Sequence, residues 1–266
     1  MSFIDILGYI AALFIGISLG LIGGGGSILT VPVLVYLVGI DPVLATAYSL
    51  FVVGSTALVG AWTNIKKKLI HYKAAITFSI PSFIAVFATR MWIVPAIPET
   101  IIDTESFILS KGSALLIFFA IVMVTSAYSM LKNSRMEEEE YSSEDFKYGK
   151  IALEGTVVGV ITGLVGAGGG FLIIPALVLL TKIPMKMAIG TSLLIIAVKS
   201  LIGFLGDVTH QPVEWPFLIA FTSVTIVGVL VGGKLSDRFN AKQLKIGFAY
   251  LVVAMAAYIL LKETVL

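Results

Sequence analysis

Residues 20–32 read GLIGGGGSILTVP and residues 163–175 read GLVGAGGGFLIIP. The two phrases stand 143 positions apart, and the same shift lays Gly16–Asn64 over Gly159–Asp207 without a gap. Gly20/Gly163, Gly23/Gly166, Gly25/Gly168, Gly26/Gly169, Pro32/Pro175, Ala45/Ala188, Ser49/Ser192 and Gly60/Gly203 are identical pairs. Coincident leucines and valines mean little in apolar sequence. Aligned glycines, a proline and a serine each have a backbone or polar reason for their place. The chain carries an internal duplication.

The solvent around that duplication follows from composition. Of the 266 residues, 58% are hydrophobic and 13% charged, and the mean hydropathy is +1.03. A soluble domain of this size has too little interior to hide so much apolar surface, and its exterior would need more charge. Hydrocarbon suits it. A transmembrane helix needs about 20 apolar residues. Stretches of that order are Phe3–Ile22, Val43–Trp62, Ala74–Val94, Gly112–Leu131, Ile151–Val165, Met187–Leu205, Trp215–Leu235 and Gln243–Leu261. Two shorter runs, Ser27–Val38 and Gly170–Thr181, each follow a glycine cluster. At about 12 residues and 1.5 Å rise, such a run covers ~18 Å, little more than half a bilayer core. The N-terminal run has no basic n-region and no small-residue cleavage site, so it reads as a retained first helix.

The polar connections sort by charge. Lys66, Lys67, Lys68 and Lys73 surround one loop, and Lys234, Arg238, Lys242 and Lys245 another. Both are expected inside. Pro95–Ser110 carries Glu99, Asp103 and Glu105 without Lys or Arg, and Gly206–Glu214 carries Asp207 and Glu214 likewise, so both are expected outside. The segment 132–150 holds the acidic run Glu137–Glu140 between basic flanks and is expected as a solvated cytoplasmic linker. Equivalent loops of the two halves thus fall on opposite sides. The expected architecture is an all-α integral membrane protein of two inverted-topology repeats, residues 1–131 and 151–266, with about five helical segments each. Both termini are expected outside. The parity holds whether the short segments cross the membrane or re-enter.

Inverted repeats with glycine-interrupted segments in corresponding positions point to the binding site of a secondary transporter. Here these are Gly23, Gly24, Gly25, Gly26 and Ser27 in one half and Gly166, Gly168, Gly169 and Gly170 in the other. A short helix beginning at Ser27 or Gly170 presents first-turn N–H groups and the positive end of its dipole, which suits an anion, with glycine letting the ligand approach the backbone. Tight helix contact is the competing use of such glycines. No Lys-Ser/Thr follows either cluster, so neither is a P-loop. Lys199 lies inside a span, where a lysine normally faces a cavity or a partner. Its counterpart is Thr56. Thr46, Ser49, Thr191 and Ser192 are hydroxyl candidates for lining the path, although such groups also bond their own helix carbonyls. Arg90 is expected to snorkel from its helix end, and Asn64 and Asp207 to cap helices or sit at the interface.

Other function classes find little support. A net charge of +2 gives no nucleic-acid footprint. Without cysteine there are no disulfides and no thiolate metal sites. His71 and His210 fall in loops and Glu154 near a helix end, so no intramembrane catalytic or metal constellation can be assembled. No cofactor is implied. The expected partners are a small anionic substrate and the lipid bilayer, with homo-oligomer formation left open. An anion channel, or a membrane subunit without its own substrate path, are the alternatives to a transporter.

The two glycine–proline phrases, with AIGTSL at residues 188–193, resemble the sulfite exporter TauE/SafE family of membrane permeases. The resemblance covers essentially the whole chain. It implies movement of sulfite, an organosulfonate or another small organic anion across a prokaryotic plasma membrane. The first half departs from the phrase at residues 45–50, ATAYSL, where Tyr48 stands opposite Thr191.

Overall fold

The computed structural model describes residues 3–104, 107–132, 148–181, 183–208, 210–236 and 241–265. Most of the linker expected at 132–150 lies outside them. Seven helices are long and apolar enough to cross a membrane, by length and composition and among the described residues. Large apolar side chains in the middle of these helices face outward, among them Phe14, Ile84, Leu153 and Val227. A hydrocarbon surround leaves them satisfied where water would not.

Helix α1 (Phe3–Ile22) ends where Gly23 adopts φ +72°. The chain then runs as a 3-10 helix over Gly23–Leu29, a short α2 (Thr30–Pro32) and a π turn over Val33–Leu37. The π turn follows Pro32, whose missing N–H takes one donor out of the helical ladder. This segment packs back along α1: a Cβ on Gly26 would strike the Leu19 backbone, and one on Gly8 would lie 3.2 Å from Val38. Helix α3 (Pro42–Lys66) starts with Pro42 at its first turn and with Asp41 as cap, whose Oδ1 accepts from the amides of Val43 (2.9 Å) and Leu44 (3.3 Å). Helix α4 (Tyr72–Ala88), capped by His71, continues through a π turn at Thr89–Ile93 into α5 (Val94–Ala96).

Strands β1 (Thr100–Thr104) and β2 (Phe107–Ser110) then form an antiparallel hairpin, pairing Thr100 with Ser110 and Asp103 with Ile108. This corrects the all-α expectation in one place. The stretch is β-branched and aromatic around a polar turn, so its acidic loop can pair with itself. Helix α6 (Lys111–Lys132) closes the first half. The second contains α7 (Tyr148–Val165), α8 (Gly170–Thr181), α9 (Met185–Asp207), α10 (Trp215–Leu235) and α11 (Ala241–Val265).

Small residues set the packing, as expected where hydrocarbon removes the hydrophobic drive between helices. Helices α3 and α9 run antiparallel through the centre. Leu50 meets Gly203 and Gly54 meets Leu201, while Gly60 meets Leu193 and Asn64 meets Gly190. Thr56 and Lys199 fall between these contacts. Helices α1 and α10 run parallel, with Gly16 on Gly228 and Gly20 on Gly232, and so do α4 and α7, with Gly155 on Phe78 and Gly159 on Ser82. Helix α6 packs with α11, and α8 with the 3-10 segment. Two ends of the bundle result. The β hairpin, the start of α3 and the end of α9 lie at one, called here the hairpin end. The start of α7, the end of α3 and the start of α9 lie at the linker end.

Candidate functional site

The two glycine breaks touch. A Cβ on Gly170 would fall within the Gly24 backbone, and one on Gly24 would strike Gly170 and Ile196. Only glycine allows backbones this close. Gly23, Gly166, Gly168 and Gly169 all have φ between +66° and +73°, a region costly to residues with a Cβ. Every residue of the clusters, Gly25 and Ser27 included, is buried.

The surroundings repeat between the halves. Gly23 lies against Ile189, with 2.8 Å from its Cβ position to Ile189 Cγ2, and Gly166 lies against Thr46. Positions 23 and 166, like 46 and 189, are 143 apart. Gly168 packs on Val53, with Ser200 Oγ at 3.5 Å from its Cβ position, and Gly169 packs on Thr162 and Lys199.

The breaks are less open than the sequence suggested. The Gly166 amide donates to Thr162 O (2.9 Å) and the Gly169 amide to Ala167 O (2.7 Å), so neither is available to a ligand in this conformation. The first short helix starts at Gly23 as a 3-10 turn, ahead of Ser27, whose Oγ donates to Gly24 O (2.7 Å). The glycines do serve close contact here, which is their competing use.

Lys199 is 1% exposed, on α9 beside Gly169, with Nζ 2.8 Å from the Cβ position of that glycine. Nζ donates to Thr162 Oγ1 at 2.9 Å. An ammonium has three donors, and among the described residues Thr162 takes one. Thr56, Ser200 and Ser49 are buried with hydroxyls that lack a partner among the described residues. Lys199 thus keeps ammonium donors that no described residue accepts. A buried cation of this kind complements a negative guest.

The other hydroxyls separate. Thr46 Oγ1 donates to Val43 O (2.7 Å), accepts from Arg90 Nη1 (2.9 Å) and belongs to the Gly166 surroundings. Ser192 Oγ donates to Ile189 O (2.8 Å) in its own helix, and Thr191 Oγ1 accepts from the His71 amide (2.9 Å). Both lie about two turns from Lys199, on the order of 11 Å by helical rise, towards the linker end.

Two expectations are corrected. Arg90 does not snorkel: it is 1% exposed and its Nη1 lies 3.2 Å from Asp207 Oδ2. Asp207 is not an interfacial cap but the buried partner in that ion pair, 5% exposed. A carboxylate on a neighbouring helix offers what the headgroups would otherwise supply. Asn64, its counterpart, donates to Gly60 O (2.9 Å) within α3. Sequence reasoning also passed over Thr162 and Ser200. Thr162 stands four residues before Gly166, a spacing that could have marked it.

Among the described residues no group of three His, Cys, Asp or Glu side chains is placed to hold a metal ion.

No solved structure matches the chain. A probable membrane transporter protein of Xylella fastidiosa is 30% identical over 251 residues, covering 92% of this chain and 91% of its own. One of Methanocaldococcus jannaschii is 28% identical over 266 residues, covering 95% and 94%. The probable membrane transporter protein YunE of Bacillus subtilis is 28% identical over 265 residues, covering 91% and 90%. These likenesses support a transporter role and point away from an enzyme. Residues 8–259 match the family described as sulfite exporter TauE/SafE, and with its apolar spans and paired glycine breaks the chain belongs to that family of multi-pass membrane proteins.

Proposed function

We propose that the protein is a secondary transporter that moves a small anion, sulfite or an organosulfonate, by alternating access between two inverted halves. The observation that carries the proposal is the meeting of the two breaks at Gly24 and Gly170, next to the buried cation of Lys199. The antiparallel course of α3 and α9 supports inversion. These helices are equivalent under the 143-residue shift, and two equivalent helices run antiparallel when the axis relating them lies in the membrane plane. The exchanged pairs α1–α10 and α7–α4 fit the same axis, which would pass near Thr56 and Lys199.

In this account the structure is an occluded conformer. Rocking of one half against the other parts Gly24 from Gly170, releasing N–H groups of the breaks to the anion while Lys199 neutralises it. Residues 1–131 and 151–266 are the moving halves. The basic loops and the 132–150 linker face the cytoplasm of a prokaryotic cell, and both termini face outside. The test is a thermal-shift panel of sulfite, sulfate, thiosulfate, sulfonates and carboxylates on detergent-purified protein, since a specific ligand stabilises by mass action. Saturable stabilisation by sulfite or a sulfonate supports the assignment; a flat response across the panel contradicts it.

A further inference from the structure

Arg90 heads the largest wholly buried side chains, and most of its donors are unmet. Nη1 donates to Thr46 Oγ1 at 2.9 Å and faces Asp207 at 3.2 Å from Oδ2 and 3.5 Å from Oδ1. Nε and Nη2 are buried without a hydrogen-bond partner among the described residues. Asp207 thus engages the guanidinium through one nitrogen, at more than the roughly 2.7–2.9 Å of tight charge-assisted contacts. The edge that matches two oxygens of an acid group in parallel is the Nε–Nη2 edge. That edge is open.

The side chain is held in place. A Cβ on Gly206 would lie 3.0 Å from Arg90 Cβ, so the glycine lets α9 close on α4 at this residue. Thr46, which takes one Nη1 proton, is the residue against Gly166. The guanidinium is therefore fixed at the hairpin end by α3 and α9, next to the second break. A buried charged donor left unpaired carries its full desolvation penalty, and a fork held this way calls for an acceptor with two oxygens.

We propose that the Nε–Nη2 edge of Arg90 is an oxyanion-binding fork, taking the acid group of a sulfonate, sulfite or carboxylate. Asp207 is a positioning residue: it holds the guanidinium through Nη1 and leaves the fork free. Eight residues of α9 separate Asp207 from Lys199, about 12 Å of helical rise, so the fork forms a second anion station towards the hairpin end. Its place on a transport path rests on the function proposed above; its capacity to bind an oxyanion does not.

Two measurements on the full-length protein in detergent test the fork. The chain's arginines are Arg90, Arg135 and Arg238. In protein labelled with 15N-arginine and carrying R135K and R238K, the remaining Nε–H signal belongs to Arg90. Titrating methanesulfonate should move that signal saturably downfield. A signal that stays in place up to tens of millimolar ligand overturns the proposal. In parallel, Arg90→Lys keeps the charge but removes the fork, and should weaken methanesulfonate affinity about tenfold or more. Wild-type affinity in a folded Arg90→Lys protein overturns it as well. Lys199→Met separates the two sites. Loss of binding there with none in Arg90→Lys defeats the fork and leaves the glycine–lysine site standing, and the reverse pattern does the opposite.

Discussion

The backbone amide of His71 donates to Thr191 Oγ1 at 2.9 Å, joining the cap of α4 to α9 at the linker end. Its counterpart joins the Glu214 amide to Tyr48 Oη at 2.6 Å, tying the cap of α10 to α3 at the hairpin end. Positions 71 and 214, and 48 and 191, are each 143 apart. The contact has outlived the side chains that make it. A threonine and a tyrosine differ in size, yet each delivers a hydroxyl oxygen to the equivalent capping amide in the other half of the chain.

Thr191→Val keeps the shape of the side chain and removes the acceptor. It should lower stability by about 0.5–1.5 kcal/mol, the net contribution of one hydrogen bond, in denaturant unfolding of detergent-solubilised protein. Tyr48→Phe should cost a similar amount through Glu214, and Thr191→Ser should retain most of the wild-type value. Unchanged stability in both variants would mean that water takes the place of either hydroxyl.

His71 Nδ1 accepts from the Ala74 amide at 3.1 Å, which requires an unprotonated nitrogen. Burial pushes its pKa below the usual histidine value, and Lys73 adds to the effect. The unfolded chain therefore takes up this proton at a higher pH than the folded one. Stability from His71 is fully present above about pH 6.5, the unfolded pKa, and falls as the pH drops below it. Melting temperatures between pH 7.5 and 5 should show that decline in the wild type and a shallower one in His71→Asn, whose side chain caps without titrating.

Glycines here differ by what surrounds them. Gly170→Ala would drive a Cβ into Gly24, and Gly24→Ala would do the reverse. Each should prevent accumulation of folded protein or lower its melting temperature steeply. Gly247 on α11 has nothing within 4 Å of its Cβ position, and Gly247→Ala should be neutral or stabilising by up to about 1 kcal/mol through helix propensity. Equal effects in Gly170→Ala and Gly247→Ala would contradict the contact between the breaks.

Asp207→Ala removes the charged partner of a buried arginine. Stranding a buried charge costs about 3–5 kcal/mol, so the variant should unfold at clearly lower denaturant. Arg90→Met combined with Asp207→Leu should recover much of that loss, because apolar residues replace the pair without leaving a lone charge. A double-mutant cycle measures the coupling. Additive effects would place Arg90 and Asp207 apart.

Much of the fold was legible because helices in hydrocarbon must be long, apolar and separated by sorted charge. The glycine phrases marked the breaks, since few residues tolerate the φ of Gly23, Gly166, Gly168 and Gly169. Lys199 was legible as an ionisable group inside a span, where a lysine normally faces a cavity or a partner. The environment of Arg90 was not: it stands near a helix end, and its partner Asp207 is 117 residues further along the chain. Nothing local to either residue announces that pairing. The hairpin at residues 100–110 was missed for another reason. Its acidic side chains dominated its charge, while the alternation that pairs β1 with β2 spans only a few residues.

Lys199, beside the paired breaks, is proposed to neutralise a transported sulfur oxyanion. Counterflow of radiolabelled sulfite into proteoliposomes loaded with unlabelled sulfite tests it most directly, with wild type and Lys199→Met reconstituted side by side. Saturable, trans-stimulated uptake is expected of the wild type, and its loss in Lys199→Met. Uptake that is the same in both proteins, or that rises without saturation, would contradict it.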